Sequence, residues 1–174
     1  INMILVLLLY IHFPRATVPS IVFYNLHNCA AVHFIEADNS SYLCSNRKDS
    51  TYIYMKNIAE TYWKRKKMPI PHLLLSDYEG RNVWSHKGIV HWRGMNICMV
   101  TDGYWRNKSA TNLLDIDYMY LCKGYKGEIA PLQKLFHIKR IVLDASLGDY
   151  KSKAYKEECK TLGLDYIDIS EKGS

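Results

Sequence analysis

Residues 141–169 read IVLDASLGDYKSKAYKEECKTLGLDYIDI, and the reading of this stretch decides the fold. Ile141-Val142-Leu143-Asp144-Ala145 is a short, partly β-branched apolar run, the pattern of a buried strand. Ser146-Leu147-Gly148-Asp149 breaks it, and Asp149 is the expected N-cap, since its carboxylate can accept from free amides of the next turn. From Tyr150 to Leu162 the period is helical: Tyr155, Cys159 and Leu162 share one face and lysines and glutamates fill the other. Gly163 is the expected stop, because glycine takes the left-handed conformation cheaply. Asp165-Tyr166-Ile167-Asp168-Ile169 alternates like a strand. A strand–helix–strand unit of this length predicts parallel neighbours joined by a right-handed crossover, hence an α/β domain.

The totals agree with one domain. The chain has 174 residues, 48% hydrophobic and 23% charged, enough for a proper core and too apolar for disorder. Fourteen tyrosines suit strands and half-buried helix faces. A formal net charge of +6 permits an anionic partner without requiring one. Cys29, Cys44, Cys98, Cys122 and Cys159 are scattered and odd in number, so buried free thiols are expected rather than a disulfide or metal framework.

Upstream of the deciding stretch, residues 20–26 (SIVFYNL), 29–37 (CAAVHFIEA) and 41–45 read as an N-terminal β-meander, with turns at His27-Asn28 and Asp38-Asn39-Ser40. In the second of these strands, Ala30, Val32 and Phe34 share one face and Ala31, His33 and Ile35 the other. Residues 50–66 change to a helical period, with Ser50 as cap. Residues 68–72 carry two prolines and are expected to be extended linker. Residues 88–93 and 95–101 form a hairpin about Gly94. Residues 112–116 are expected to make a short helical turn, 118–122 a strand, and 128–137 a helix with Pro131 early and Ile129, Leu132, Leu135 and Phe136 inward. The predicted order is therefore a meander followed by β-α-β-α-β.

The first residues pose a separate question. Residues 3–11 (MILVLLLYI) are continuously apolar, too few to span a bilayer alone and without the flanks of a signal peptide. The expectation is that residues 1–13 are the end of a transmembrane helix in a longer protein and that 18–174 form the soluble domain. The alternative is a buried first strand.

Few constellations carry chemistry. No nucleophile elbow, phosphate loop or dinucleotide fingerprint is present. The histidines lack paired-ligand spacing, so a zinc site from His72, His91 and Asp102 would need assembly across the fold, and structural histidines are expected instead. Asp144 and Asp149 flank a strand end where α/β folds bind ligands, but Asp149 is already assigned as a cap. Tyr62, Trp63, Lys64, Arg65, Lys66 and Lys67 interleave aromatics with cations. Such a run grips a phosphate backbone while stacking a base, or simply complements a helix C-terminus.

Four segments resemble one family. Residues 20–44 (SIVFYNLHNCAAVHFIEADNSSYLC) resemble the opening strands of the C-terminal metallo-β-lactamase-like domain of ComEC competence proteins, in the form found in Bacteroidetes-like bacteria. Residues 94–102 (GMNICMVTD) resemble that family's strand ending in aspartate, and 117–127 (DYMYLCKGYKG) the segment where it carries D-x-L-x-x-x-H-H-G-S. Residues 139–173 resemble its closing strand, helix and strand. The resemblance implies a degenerate metallo-β-lactamase-like α/β sandwich attached to an inner-membrane DNA-uptake channel. Its implied partners are single-stranded DNA and the membrane-embedded remainder of the same protein, with no small-molecule cofactor. The departures imply lost catalysis. No H-x-H-x-D-H lies within residues 46–86, Lys123 and Gly124 stand at the second histidine site, and only Asp102 remains where a metal-binding aspartate is expected. Asp102, Lys123 and Gly124 thus mark a vestigial site with no catalytic residue and no metal. Tyr62 to Lys67, and Lys126 beside Lys123, are the nucleic-acid-binding candidates, and a metal-dependent nuclease with an atypical site is the rival reading.

Overall fold

The deciding stretch folds as its pattern dictates. In the computed structural model, strand β12 spans Arg140–Leu143, helix α2 Asp149–Leu162 and strand β13 Asp165–Asp168. The two strands pair in parallel, with Ile141 opposite Tyr166. Gly163 ends α2 in the left-handed region at φ 66°, where its amide donates to the last carbonyls. The cap at the other end is a correction: Gly148 occupies the N-cap with no side-chain bond, and Asp149 is the first helical residue. Its charge there still faces the positive end of the helix.

The structure describes residues 18–26, 29–38, 40–45, 50–74 and 77–172. The expected membrane helix at 1–13 and the turn at His27-Asn28 lie outside the described residues. The meander is present as β1 Ser20–Phe23, β2 Ala31–Ile35 and β3 Ser41–Ser45, all antiparallel. Asp38 turns the chain before β3 by accepting from the amide and hydroxyl of Ser40. Helix α1 spans Ser50–Lys66. It closes with Lys67 at φ 52° and the amide of Met68 on the Trp63 carbonyl at 2.8 Å, a Schellman-type end.

Beyond α1 the sequence reading needs several corrections. His72 is no longer linker: β4, His72–Leu74, adds in parallel to β3. β5 Asp77–Glu79 and β6 Val83–His86 are strands the pattern did not announce. β7 Ile89–Trp92 and β8 Met95–Val100 form the predicted hairpin. Its turn places Arg93 and Gly94 both at positive φ, the geometry that matches strand twist. Residues 112–116 contain strand β9, Leu114–Ile116, rather than a helical turn. After β10 Tyr118–Leu121, the expected helix at 128–137 shrinks to a 3₁₀ turn, Ala130–Lys134, followed by β11 Phe136–Ile138. β9 and β11 pair with each other in parallel, which a helix across either segment would prevent. The expected inward residues are nonetheless buried: Ile129, Leu132, Leu135 and Phe136 all join the core. Ile169–Lys172 forms a last turn, α3.

The order of strands is β1-β2-β3-β4 in one sheet and β13-β12-β10-β8-β7-β6-β5 in the other. β8, β10, β12 and β13 run parallel, while β5 to β8 run antiparallel. The observed class is therefore α/β, with mixed sheets and few helices. Side-chain alternation sorts the core into three layers. Ala30, Val32 and Phe34 of the first sheet meet Trp92, Ile97, Met99, Tyr120 and Val142 of the second. Ala31 and Leu43 point the other way, against Ala59 and Trp63 of α1. Cys98, Val100, Met119, Ile141 and Leu143 face Tyr155 and Cys159 of α2. A sheet covered on both sides shows why β2 is buried at every position.

All five cysteines are buried, as expected, and remain thiols outside any disulfide. Burial pushes the Cys44 and Cys98 thiols up to about 12, so they pack as small apolar groups rather than act as nucleophiles.

Candidate functional site

Parallel strands deliver their carboxyl ends to one edge, and that edge is where this chain concentrates its polar side chains. β8 ends at Thr101-Asp102, β10 at Cys122-Lys123-Gly124, β12 at Asp144 and β13 at Asp168. The first two ends touch closely. A Cβ on Gly124 would meet the Thr101 carbonyl oxygen at 1.9 Å, so only glycine fits there. The sequence-predicted residues Asp102, Lys123 and Gly124 are thus brought to one place. Asp102 uses Oδ1 to accept from the Tyr104 amide at 2.8 Å.

Beside them lies an open cleft of 810 Å³ lined by Lys123, Asp144, Ser146, Ser152, Lys156 and Asp168, among others. Its two buried carboxylates differ. Asp144 is 2% exposed. It accepts from the Tyr120 hydroxyl on one oxygen and from the Ser146 hydroxyl and amide on the other. Burial raises its carboxyl above the ordinary range despite these donors. Asp168 is 4% exposed. Lys156 Nζ sits 2.6 Å from its Oδ2, Ser152 Oγ donates to the same oxygen at 2.9 Å, and Ser170 donates through amide and hydroxyl to Oδ1. Burial works to raise this group too, but the bonds from Lys156, Ser170 and Ser152 outweigh it and hold Asp168 at about 2. Lys156 in turn is raised, first by Asp168 and then by Glu171 at 2.5 Å.

A dinuclear metal centre, which the family resemblance would imply, does not fit these residues. Among the described residues no three His, Cys, Asp or Glu side chains converge as metal ligands. The conceivable set of His72, His91 and Asp102 is dispersed: His72 lies in the first sheet and His91 in the second, bonded through Nδ1 to Asn96 at 2.7 Å. Asp144 and Asp168 already accept from hydroxyl and amide donors, and Asp168 from the Lys156 ammonium as well, on both of their oxygens.

The basic–aromatic run at the end of α1 sits elsewhere, on the outer layer of the first sheet. Lys64, Arg65, Lys66 and Lys67 are exposed, and Lys64 pairs with Glu60 at 2.8 Å. Trp63 is 1% exposed and donates from Nε1 to the Tyr24 hydroxyl at 2.6 Å. Its ring is therefore closed off from any base, and only half-buried Tyr62 remains there as an aromatic surface. Lys126 is exposed in the loop after β10, close behind Lys123.

Sequence reasoning gives Asp144 little weight and passes over Asp168, Lys156 and the serines. A repeated spacing is nonetheless visible: two of the three strand-end aspartates are followed two residues later by serine, Asp144-x-Ser146 and Asp168-x-Ser170. That is the signature of a side-chain turn on the aspartate's own backbone.

No helix among the described residues is long and apolar enough to cross a membrane. Comparison with curated proteins and with solved structures gives no match. A family model described as ComEC C-terminal domain does match, over residues 21–174. That span takes in the meander, both sheets and the strand-end cleft, and the chain accordingly belongs to the ComEC C-terminal domain family, in the setting of competence and DNA uptake.

Proposed function

We propose that this chain is the non-catalytic soluble domain of a ComEC-type inner-membrane competence protein. On this reading its sheets form a degenerate metallo-β-lactamase-like sandwich, and it assists DNA uptake by guiding single-stranded DNA or by scaffolding the channel. Residues 1–13 would tie it to the membrane-embedded remainder. One observation carries the non-catalytic part. At the strand ends, where such a hydrolase gathers metal ligands, the buried carboxylates are held by protein donors, Asp168 by Lys156 at 2.6 Å, and Lys123 and Gly124 occupy the loop beside Asp102. A lysine in that place supplies fixed positive charge that attracts phosphate without activating water.

The guiding part is supported by the net charge of +6 and by exposed cations at the strand-end loops and the end of α1. Contacts to phosphate release counterions, so binding to single-stranded DNA weakens steeply with salt. The test joins metal analysis of the purified chain to a nuclease assay and a salt-dependent titration with an oligothymidylate. The expected outcome is sub-stoichiometric zinc, intact DNA and salt-sensitive binding. Stoichiometric zinc with cleavage that disappears in Asp102→Ala would overturn the non-catalytic reading in favour of an atypical nuclease. Absence of binding at low salt would leave a scaffold alone.

A further inference from the structure

The strand-end edge carries an exposed aromatic that nothing in the cleft explains. Tyr104 lies in the loop after β8 and is 40% exposed. Its position is fixed by two contacts, one of them braced by the core. Its amide is bound by Asp102. Its ring packs edge-on against Trp105, with centroids 4.7 Å apart. Trp105 packs edge-on in turn against buried Phe136 at 5.1 Å. An exposed ring anchored to the core in this way loses little freedom on binding a partner.

Cations surround it. Lys108 Nζ lies 3.1 Å from the ring centroid and Lys87 Nζ 5.8 Å from it. Lys87 arrives from the β6–β7 turn, which is held to β8 by the Met99 amide on the Gly88 carbonyl at 2.7 Å. Lys123 and Lys126 belong to the loop whose Gly124 abuts Thr101, and Arg106 lies within the Tyr104 loop itself. All five cations are exposed. None of them has an ion-pair partner among the described residues, in contrast to Lys64 at the end of α1. The two lysines beside Tyr104 also lower its phenol from the ordinary value, chiefly Lys108 and then Lys87. Asp102 is the acid nearest in sequence, and one of its oxygens is already engaged.

We infer that this edge is a binding surface for single-stranded nucleic acid, with Tyr104 as the base-stacking platform and Lys87 and Lys108 as phosphate contacts. Arg106, Lys123 and Lys126 extend the phosphate track toward the cleft. A planar ring with ammonium groups close to it suits unpaired bases, whose faces a duplex keeps covered. The inference rests on the DNA reading proposed for this domain and moves its centre from the end of α1 to the strand-end edge. Residues 104–108, YWRNK, carry the same interleaving of aromatics and cations as residues 62–67, but here the aromatic is 40% exposed, and the Lys108 ammonium that covers its ring at 3.1 Å has to swing to a phosphate before a base can stack.

The test is fluorescence anisotropy of the chain with a labelled oligothymidylate and with a duplex of equal length, across a salt series. Tyr104→Ala is expected to weaken oligothymidylate binding by roughly tenfold or more. Lys87→Glu with Lys108→Glu is expected to weaken it and to flatten the salt slope by about 0.7 for each phosphate that the variant no longer neutralises. Charge reversal at Lys64, Arg65 and Lys67 is expected to weaken binding through the lost net charge, but by less than either change at the strand-end edge. Should the alanine variant unfold, Tyr104→Leu keeps an apolar side chain against Trp105 without an aromatic face. Wild-type binding that survives both the Tyr104 and the lysine changes overturns this surface while leaving the DNA reading intact. Weakening by the lysine changes alone reduces the surface to an anion patch and overturns the stacking role. A wild-type chain that binds neither oligonucleotide overturns both.

Discussion

The two outer layers of this domain bury polar groups in opposite ways. Under α1, the buried chain is neutral. Trp63 donates to the Tyr24 hydroxyl and that hydroxyl lies 2.8 Å from His33 Nδ1. With the indole as donor to Tyr24, the phenol donates to Nδ1, and the imidazole proton falls on Nε2. Nε2 is buried with no partner among the described residues. At the strand-end edge, by contrast, a buried group is held charged: Asp168 is surrounded by donors that include the Lys156 ammonium. A neutral group tolerates one unmade bond at a cost of about 1–3 kcal/mol. A buried charge does not, which is why the edge gathers an ion pair and two serine turns while the α1 layer needs neither.

The largest effect should come from breaking the neutral layer. Trp63→Ala removes a fully buried ring and strands the Tyr24 hydroxyl, and a loss of about 4 kcal/mol is expected in urea unfolding. Retained stability would mean that α1 contributes little to the first sheet.

Acid sharpens the same contrast. Burial lowers His33 to about 4 from an ordinary 6.5. Its folded-state value is depressed, so the neutral ring's contribution is complete above pH 6.5 and is lost as the pH falls toward 4. The full loss is about 3 kcal/mol, and His33→Gln should flatten that part of the stability–pH curve. Asp168 runs later: held at about 2 against 3.8, its contribution is complete above 3.8 and disappears as the pH falls through about 2. Two separate acid steps, of which only the upper one responds to His33→Gln, would confirm that the layers titrate independently.

Lys156→Met tests the charged side. Leaving Asp168 buried without its ammonium partner is expected to cost about 2 kcal/mol, less than a fully buried pair because the lysine is partly exposed. It should also move the lower acid step upward. Adding Asp168→Leu should recover most of the loss in the same unfolding assay. No recovery would show that the serine turn, not the ion pair, holds β13 to α3.

The smallest effect belongs to Asp144→Asn. The amide oxygen can still accept from the Ser146 amide and hydroxyl, and the Tyr120 hydroxyl, which accepts as well as donates, can turn to take the new N–H. Because burial raises the Asp144 carboxyl, its charge is less favoured in the folded chain than in the unfolded one. The substitution should therefore be neutral or stabilising by up to about 1 kcal/mol. A large loss would show that the charge itself organises the cleft.

Much of this architecture is readable locally. The β12–α2–β13 unit, the meander, α1 and the β7–β8 hairpin each announce themselves through side-chain period and through Gly94 and Gly163. The segments whose pattern misleads depend on distant partners. Residues 114–116 become a strand because residues 136–138 lie beside them, and both are too short for a period to show. Ile129, Leu132 and Leu135 have helical spacing, yet the chain stops after a 3₁₀ turn. Glu158 of α2 accepts from the Ile129 and Ala130 amides at 2.6 and 2.9 Å, which fixes the entry, and β11 claims the next residues.

The candidate site divides in the same way. Sequence spacing by itself determined the α/β class, the positions of the strand ends and the absence of local metal-ligand motifs, because each depends on neighbours within a turn or a strand. It could not decide which aromatic of two similar basic runs faces solvent. Trp63 is closed by Tyr24, thirty-nine residues away, while Tyr104 is propped outward through Trp105 on Phe136. Nor could it tell that Asp168 would stay charged and Asp144 would resist it, because desolvation depends on everything packed around a group and the compensating lysine comes from a different element. Burial and long-range pairing are properties of the assembled layers, so only the tertiary structure decided them.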